Sequence, residues 1–419
     1  MSKILSAKCL IGCGLALAMS APAAHAKGRD TLLHSFCTQQ DCADGSMPEG
    51  GVIADSAGNL YGTTLSGGAN GQGSVFEISS GGAYSVLYSF CAEANCADGA
   101  GPSSGLDMDG AGNLYGTASE GGAYGEGTVF RLAADGTETT LYSFCPQRRC
   151  RDGRIPLAGL VMDGAGNLYG TTWLGGEKNQ GTIFKLAPSG DETVLLSFKG
   201  SEGAGPDTNL IMDGAGNLYG TTSSGGSGGP GNVFEVTAAG AFKTLYAFCS
   251  RANCTDGANP SASLIMDGSG NLYGTTMNGG ANGYGTVFEL AAGGAESVLY
   301  SFCAKGDCGD GAYPAAGVVM DGSGNLYGTT QYGDGRDCIE NNANALCGTV
   351  FKLATNGTET ALYSFCAKAD CADGSGPTGN LILDASGTLY GTTSFGGDGH
   401  CIGGCGTVFT IAGGGKKAK

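Results

Sequence analysis

The chain has 419 residues, of which 81 are glycine and 11 proline, with 41% hydrophobic and 14% charged residues. That mixture is too apolar for an unstructured tail and too poor in charge for a coiled coil or a nucleic-acid arm. A formal net charge of −17 sets the protein against duplex DNA and anionic lipid surfaces.

Residues 1–26 read as a secretory signal. Lys3 and Lys8 give a basic start, and Cys9 to Ala18 is apolar but too short to span a bilayer. Ala24-His25-Ala26 is an A-x-A cleavage site, which predicts a mature start at Lys27 in a secreted or periplasmic protein. Leu10-Ile11-Gly12-Cys13 offers the alternative of a lipoprotein acylated at Cys13, although Lys8 leaves little apolar run before it. No later apolar run approaches the length of a membrane span.

Thr31 to Phe36 is an isolated strand-like segment. After it one phrase, GNLYGTT, recurs with small variations, its tyrosine at Tyr61, Tyr115, Tyr169, Tyr219, Tyr273, Tyr327 and Tyr390. The spacings are 54, 54, 50, 54, 54 and 63 residues, a period that points to a propeller or a solenoid. The unit from Leu160 to Phe198 shows four strands: Leu160 to Asp163, Asn167 to Thr172, Thr182 to Leu186 and Val194 to Phe198. Short β-branched and aromatic runs between Gly, Asn and Asp favour strands over helix. Four antiparallel strands make a propeller blade, with the glycine after each LY read as a point of close approach between blades.

Closure follows from the two ends. The last repeat stops after its third strand, near Ile411, and Thr31 to Phe36 matches the fourth strand seen at Ser85 to Phe90. The expectation is an all-β, seven-bladed propeller of four-stranded antiparallel blades over residues 27–412, with the N-terminal strand completing the last blade and residues 413–419 a loose tail. An open solenoid would normally carry distinct capping repeats, and none is legible.

Sixteen cysteines remain after the signal. Six pairs share a C-x4-C spacing: Cys37/Cys42, Cys91/Cys96, Cys145/Cys150, Cys249/Cys254, Cys303/Cys308 and Cys366/Cys371. The segment near Lys199 has lost both members together, as bonded partners would be lost. With the signal, this predicts disulfide staples in an oxidising compartment. Two thiolates per loop fall short of a four-ligand zinc site. Cys338/Cys347 and Cys401/Cys405 sit in loops of adjacent repeats, where local and crossed pairing both stay open.

The GNLYGTT…GG…GTVF…LYSF pattern resembles the bacterial choice-of-anchor tandem repeat proteins, whose GloVer-type repeat carries this phrase; all seven units are covered. The resemblance implies a secreted or surface protein and brings no catalytic residues with it. The C-terminal residues Gly413 to Lys419 show no sorting anchor, which favours a soluble form.

In such a blade the fourth-to-first and second-to-third connections emerge together. These are the long ones here, the C-x4-C loops and the glycine-rich loops, so this face is the expected binding face. Its irregular aromatics, Tyr124, Trp173, Tyr284, Tyr332 and Phe395, could pack over the loops or offer flat platforms to sugars. Arg148, Arg149, Arg151 and Arg154 cluster in one loop and could grip carboxylates or stay solvated. Asp44, Asp98, Asp152, Asp256, Asp310 and Asp373 recur before glycine, a turn signal first and a Ca2+ ligand set only with many more oxygens.

Catalytic signals are sparse. The mature chain has two histidines: His34, expected to pack in the closing strand, and His400 beside Cys401. No Ser-His-Asp arrangement, P-loop or dinucleotide fingerprint is present. The functional expectation is a monomeric binding or scaffold module for a glycan or surface protein, with no cofactor, metal or nucleic acid. A polysaccharide lyase or glycosidase on the same scaffold is the alternative.

Overall fold

A computed structural model describes residues 30–146, 149–227, 229–333, 347–399, 401 and 404–412. The signal at 1–26, the 413–419 tail, Arg148, Cys338 and His400 lie outside the described residues. The described chain forms seven four-stranded antiparallel sheets, a seven-bladed β-propeller. No helix among the described residues is long and apolar enough to cross a membrane.

Six blades are built from four consecutive strands, as in Asp107–Met108, Leu114–Ala118, Thr128–Leu132 and Glu138–Ser143. The seventh takes Ile382–Leu383, Leu389–Thr393 and Thr407–Ile411 from the C-terminal end and borrows Asp30–Ser35 from the N-terminal end. Asp30 faces Ile411 and Ser35 faces Thr407 in that pairing. The borrowed strand skips one residue, Leu33, between Leu32 and His34. Every other outer strand skips its own leucine at the same place, as at Leu87 between Val86 and Tyr88. This bulge adds twist to the outermost strand of each sheet.

The inner strands are shorter than the sequence suggests. Leu160 to Asp163 contributes only Val161–Met162. Asp163 leaves the ladder because its carboxylate accepts from the backbone of Ala165 and Asn167 and closes a tight turn.

The core consists of seven apolar layers, one between each pair of blades. Each layer centres on two phenylalanines packed edge to face. Phe90 meets Phe130, Phe198 meets Phe234 and Phe36 meets Phe76, with ring centroids 4.9, 5.6 and 5.2 Å apart. Full burial of such a ring contributes about 1.5–3 kcal/mol. Threonines add polar ties across the layers: Thr63 and Thr117 donate to the carbonyls of Ser104 and Ala158 in the next blade.

The glycine of the repeated phrase has a different role from the one its sequence position suggested. Gly116 sits opposite Phe130 in its own blade, and a Cβ there would lie 2.6 Å from the ring. The missing side chain makes room for the phenyl ring of the adjacent strand, rather than for the backbone of a neighbouring blade.

Candidate binding face

The two long connections of every blade lie side by side. Single antiparallel bridges join them: Ala100 to Glu120, Arg154 to Leu174 and Ala312 to Tyr332 are three of seven. Each C-x4-C loop is closed by its own disulfide, as in Cys37–Cys42, Cys91–Cys96, Cys145–Cys150, Cys249–Cys254, Cys303–Cys308 and Cys366–Cys371. Cys401 pairs locally with Cys405. Cys347 is also disulfide-bonded, while Cys338 is outside the described residues. This density of disulfides belongs to an oxidising environment.

A buried carboxylate holds each staple. Asp98 accepts from the backbone N–H of Ala92 and Glu93 and from the Tyr88 hydroxyl, the last at 2.8 Å. Asp256, Asp310 and Asp373 repeat the pattern, and Asp152 takes Tyr142 and the Cys145 N–H. Asp44 accepts from Thr38 and Gln39, and His34 stands where the tyrosine would be, with Nε2 3.6 Å away. Burial lowers the His34 pKa, with Asp44 opposing, and its ring stacks on Tyr84 at 3.7 Å. These carboxylates are committed to loop donors one by one and do not converge on a common point.

Among the described residues the exposed large hydrophobic side chains are Tyr124, Trp173, Tyr284 and Tyr332, at 54, 40, 37 and 43% exposure, and all four sit on these loops. Phe395 is half-buried, with its backbone bridged to Ser375. Tyr284 and Tyr332 both pack edge to face on Tyr313, at 5.4 and 5.3 Å, which makes a trio at the junction of two blades. Sequence reasoning passed over Tyr313. The signal was its place before Pro314, where the other repeats carry Met47, Gly101, Ile155, Gly205, Asn259 and Gly376.

Trp173 borders a crevice of about 680 Å3 with Gln72, Asn95, Glu120, Glu126 and Ile155. The Trp173 N–H bonds to the Ile155 carbonyl, and the Ile155 N–H to the Glu126 carbonyl, so three loops fix the wall. The indole also lies against Gly205 of the next blade, where a Cβ would come within 3.0 Å of Nε1. Ile155 holds φ at +56°, a left-handed conformation that is costly for a β-branched residue.

Among the described residues, Arg149, Arg151 and Arg154 do not line this crevice. Arg154 is taken by Glu126 at 3.4 Å and by Asn179. Arg149 and Arg151 are exposed on the outer loop. The central axis holds a cavity of only about 100 Å3, which suits a few waters rather than a substrate. Asn209 and Asn380 reach across it to the backbone of Gly159 and Gly317. Burial raises the Glu49 pKa and lifts that of Asp207 to about 6 at this axis. On the opposite face a crevice of about 670 Å3 runs past Asp55, Tyr61, Glu77 and Asp109. Its aspartates are bound into tight turns by Asn59 and Asn113.

The Gloeobacter/Verrucomicrobia repeat matches residues 22–215, 144–340 and 208–418. No curated protein matches the chain. Among solved structures, the chain resembles the extracellular domain of a candidate one component system from B. thetaiotaomicron. The identity is 10% and the TM-score 0.54, covering 91% of this chain and 40% of that one. A gluconolactonase from Xanthomonas campestris aligns at 13% identity and a TM-score of 0.46, over 92% of this chain and 89% of that one. The chain thus spans well under half the length of the first of these, and the likeness at this identity is one of fold alone. Its repeats, read across nearly the whole sequence, make the chain a member of the Gloeobacter/Verrucomicrobia repeat family.

Proposed function

We propose that this protein is an extracytoplasmic binding module that holds a glycan on its disulfide-stapled face, with the Trp173 crevice as the principal site. The observation that carries this reading is that, among the described residues, the exposed large hydrophobic side chains share one face, one of them walling a crevice. An indole ring beside Gln72, Asn95 and two glutamates offers what a pyranose needs: a flat apolar surface for its C–H groups and polar edges for its hydroxyls. Glu120 and Glu126 line the crevice and Arg154 is already neutralised by Glu126. Neutral or amine-bearing sugars therefore suit it better than the anionic polysaccharides that the arginine-rich loop would suggest. Residues 1–26 act as the export signal in this reading.

Calorimetric titration with neutral, amino and uronate oligosaccharides tests the proposal. Wild type binds a neutral or amino oligosaccharide, and Trp173→Ala weakens it at least tenfold while the fold persists. Equal binding by both forms, or a preference for uronates, overturns the site.

A further inference from the structure

The two ends of the chain meet at a cluster of four sulfurs. Cys37 and Cys42 follow the borrowed strand Asp30–Ser35, and Cys401 and Cys405 precede the strand Thr407–Ile411 it pairs with. The four Sγ atoms all lie within 4.8 Å of one another, and Cys37 and Cys405 are buried in the same apolar layer. The bonds present are local, Cys37–Cys42 and Cys401–Cys405, so neither ties one end of the ring to the other.

The ladder places a third pairing within reach. Ser35 faces Thr407 and the Phe36 N–H bonds to the Gly406 carbonyl, so the paired strands end just beside Cys37 and Cys405, where the Cys37 N–H turns away to the Gly45 carbonyl while its sulfur stays within 4.8 Å of that of Cys405. A single point beside Gly399 lies 3.2 Å from the Cys405 sulfur and 3.4 Å from the Cys37 Cβ.

We infer that this cluster is a disulfide-exchange site, and that exchange converts two local staples into a covalent latch, Cys37–Cys405 with Cys42–Cys401, across the closing blade. The exchange is redox neutral and is catalysed by a low-molecular-weight monothiol. The monothiol's thiolate attacks the Cys42 sulfur and breaks its bond to Cys37, which leaves as thiolate. Cys37 attacks Cys405 and forms the latch, and Cys401 leaves as thiolate. Cys401 attacks Cys42, forms the second crossed bond and releases the monothiol. Two disulfides are consumed and two formed.

The latch closes nearly the whole chain into a loop, whereas a local staple closes a few residues. Loop-closure entropy favours the larger ring as the more stabilising constraint on the unfolded chain. It would hold the borrowed strand in place under conditions that otherwise peel it away.

Two measurements test this. The full-length wild-type protein is incubated in a buffer of reduced and oxidised glutathione, quenched with acid and mapped by mass spectrometry without reduction. A peptide linking Cys37 to Cys405 or Cys42 to Cys401 is expected, and exclusively local pairs after exchange overturn the proposal. Independently, Cys42→Ser/Cys401→Ser leaves Cys37 and Cys405 as each other's nearest partners. The inference expects loss of both thiols to titration and a thermal midpoint several degrees above that of the same variant under reductant. A folded variant that retains two free thiols overturns it. Should that variant fail to fold, the wild-type peptide map decides alone.

Discussion

Ile155 and Gly205 occupy the same position in consecutive repeats and both lie in the left-handed region, at φ of +56° and +61°. The glycine adopts it without steric cost; the isoleucine does not, at roughly 1–2 kcal/mol for an L-residue. Ile155 lies on the wall of the Trp173 crevice, so the strain sits where the proposed ligand does. Ile155→Gly should leave stability within about 1 kcal/mol of wild type, strain relief offsetting lost packing. Oligosaccharide affinity should fall severalfold. Chemical denaturation and calorimetric titration of one preparation give both numbers, and a loss of stability above about 3 kcal/mol would count against strain at Ile155.

Gly116→Ala tests the ring-for-side-chain exchange inside each blade. A methyl group 2.6 Å from the Phe130 ring must displace it from a fully buried layer. Overpacking of this kind costs about 1–3 kcal/mol. Phe130→Leu alone should also destabilise, yet the double variant should be less unstable than the sum, with a coupling of at least about 0.5 kcal/mol. Strict additivity in denaturant melts would show that the two residues do not contend for the same space.

The buried carboxylates are predicted to matter more than the disulfides they sit beside. Asp98→Ala strands the N–H groups of Ala92 and Glu93 and the Tyr88 hydroxyl. Unpaired buried donors cost about 1–3 kcal/mol each, some of which water recovers, so a loss of about 3 kcal/mol is expected. Reducing Cys91–Cys96 alone, in a six-residue ring, should cost only about 2 kcal/mol on the chain-entropy view. Tyr88→Phe removes one hydrogen bond and should cost about 1 kcal/mol.

Stability should decline as the solution is made more alkaline across the neutral range. Burial first, then nearby Asp98, raises the Glu138 carboxyl from 4.5 to about 7. Burial and Asp152 raise Glu192 likewise to about 7. A folded-state pKa above the unfolded one means the native protein holds its proton more tightly. The associated stability is full below pH 4.5 and is lost as pH rises through 7. Both groups are partly solvated, so the effect is a shift of a few degrees in thermal midpoint rather than a collapse. Glu138→Gln should flatten the midpoint between pH 5 and pH 8 and raise it at the upper end. An unchanged slope would assign the pH dependence elsewhere.

The architecture was legible because one phrase recurring every fifty residues or so announces each blade, and the orphan match between Thr31–Phe36 and Ser85–Phe90 announces the closure. Less visible was anything that depends on which face of a residue meets which neighbour. The glycine of GNLYGTT reads as close packing in one dimension, but only the register shows that Phe130 fills its space. Asp98 reads as half of an Asp-Gly turn, since nothing local reveals that Tyr88, ten residues earlier, points back at it. Tyr313 and Ile155 hide in a column that is glycine in three other repeats; the interest of Ile155 comes from its backbone angle and that of Tyr313 from the two tyrosines folded onto its ring. The arginine-rich loop was open to two readings in sequence, a carboxylate grip or a solvated or intramolecular role, and for Arg154 the structure gives an intramolecular partner, Glu126.

The borrowed strand also dictates an order of events. Asp30–Ser35 is made before the other strands of the seven blades, and its acceptor Thr407–Ile411 after all of them. Until that acceptor forms, the segment is a lone hydrogen-bonding edge with Leu32, Leu33 and Phe36 uncovered. A polypeptide of this design that lacks its acceptor strand is therefore prone to lend the segment to another molecule's incomplete sector.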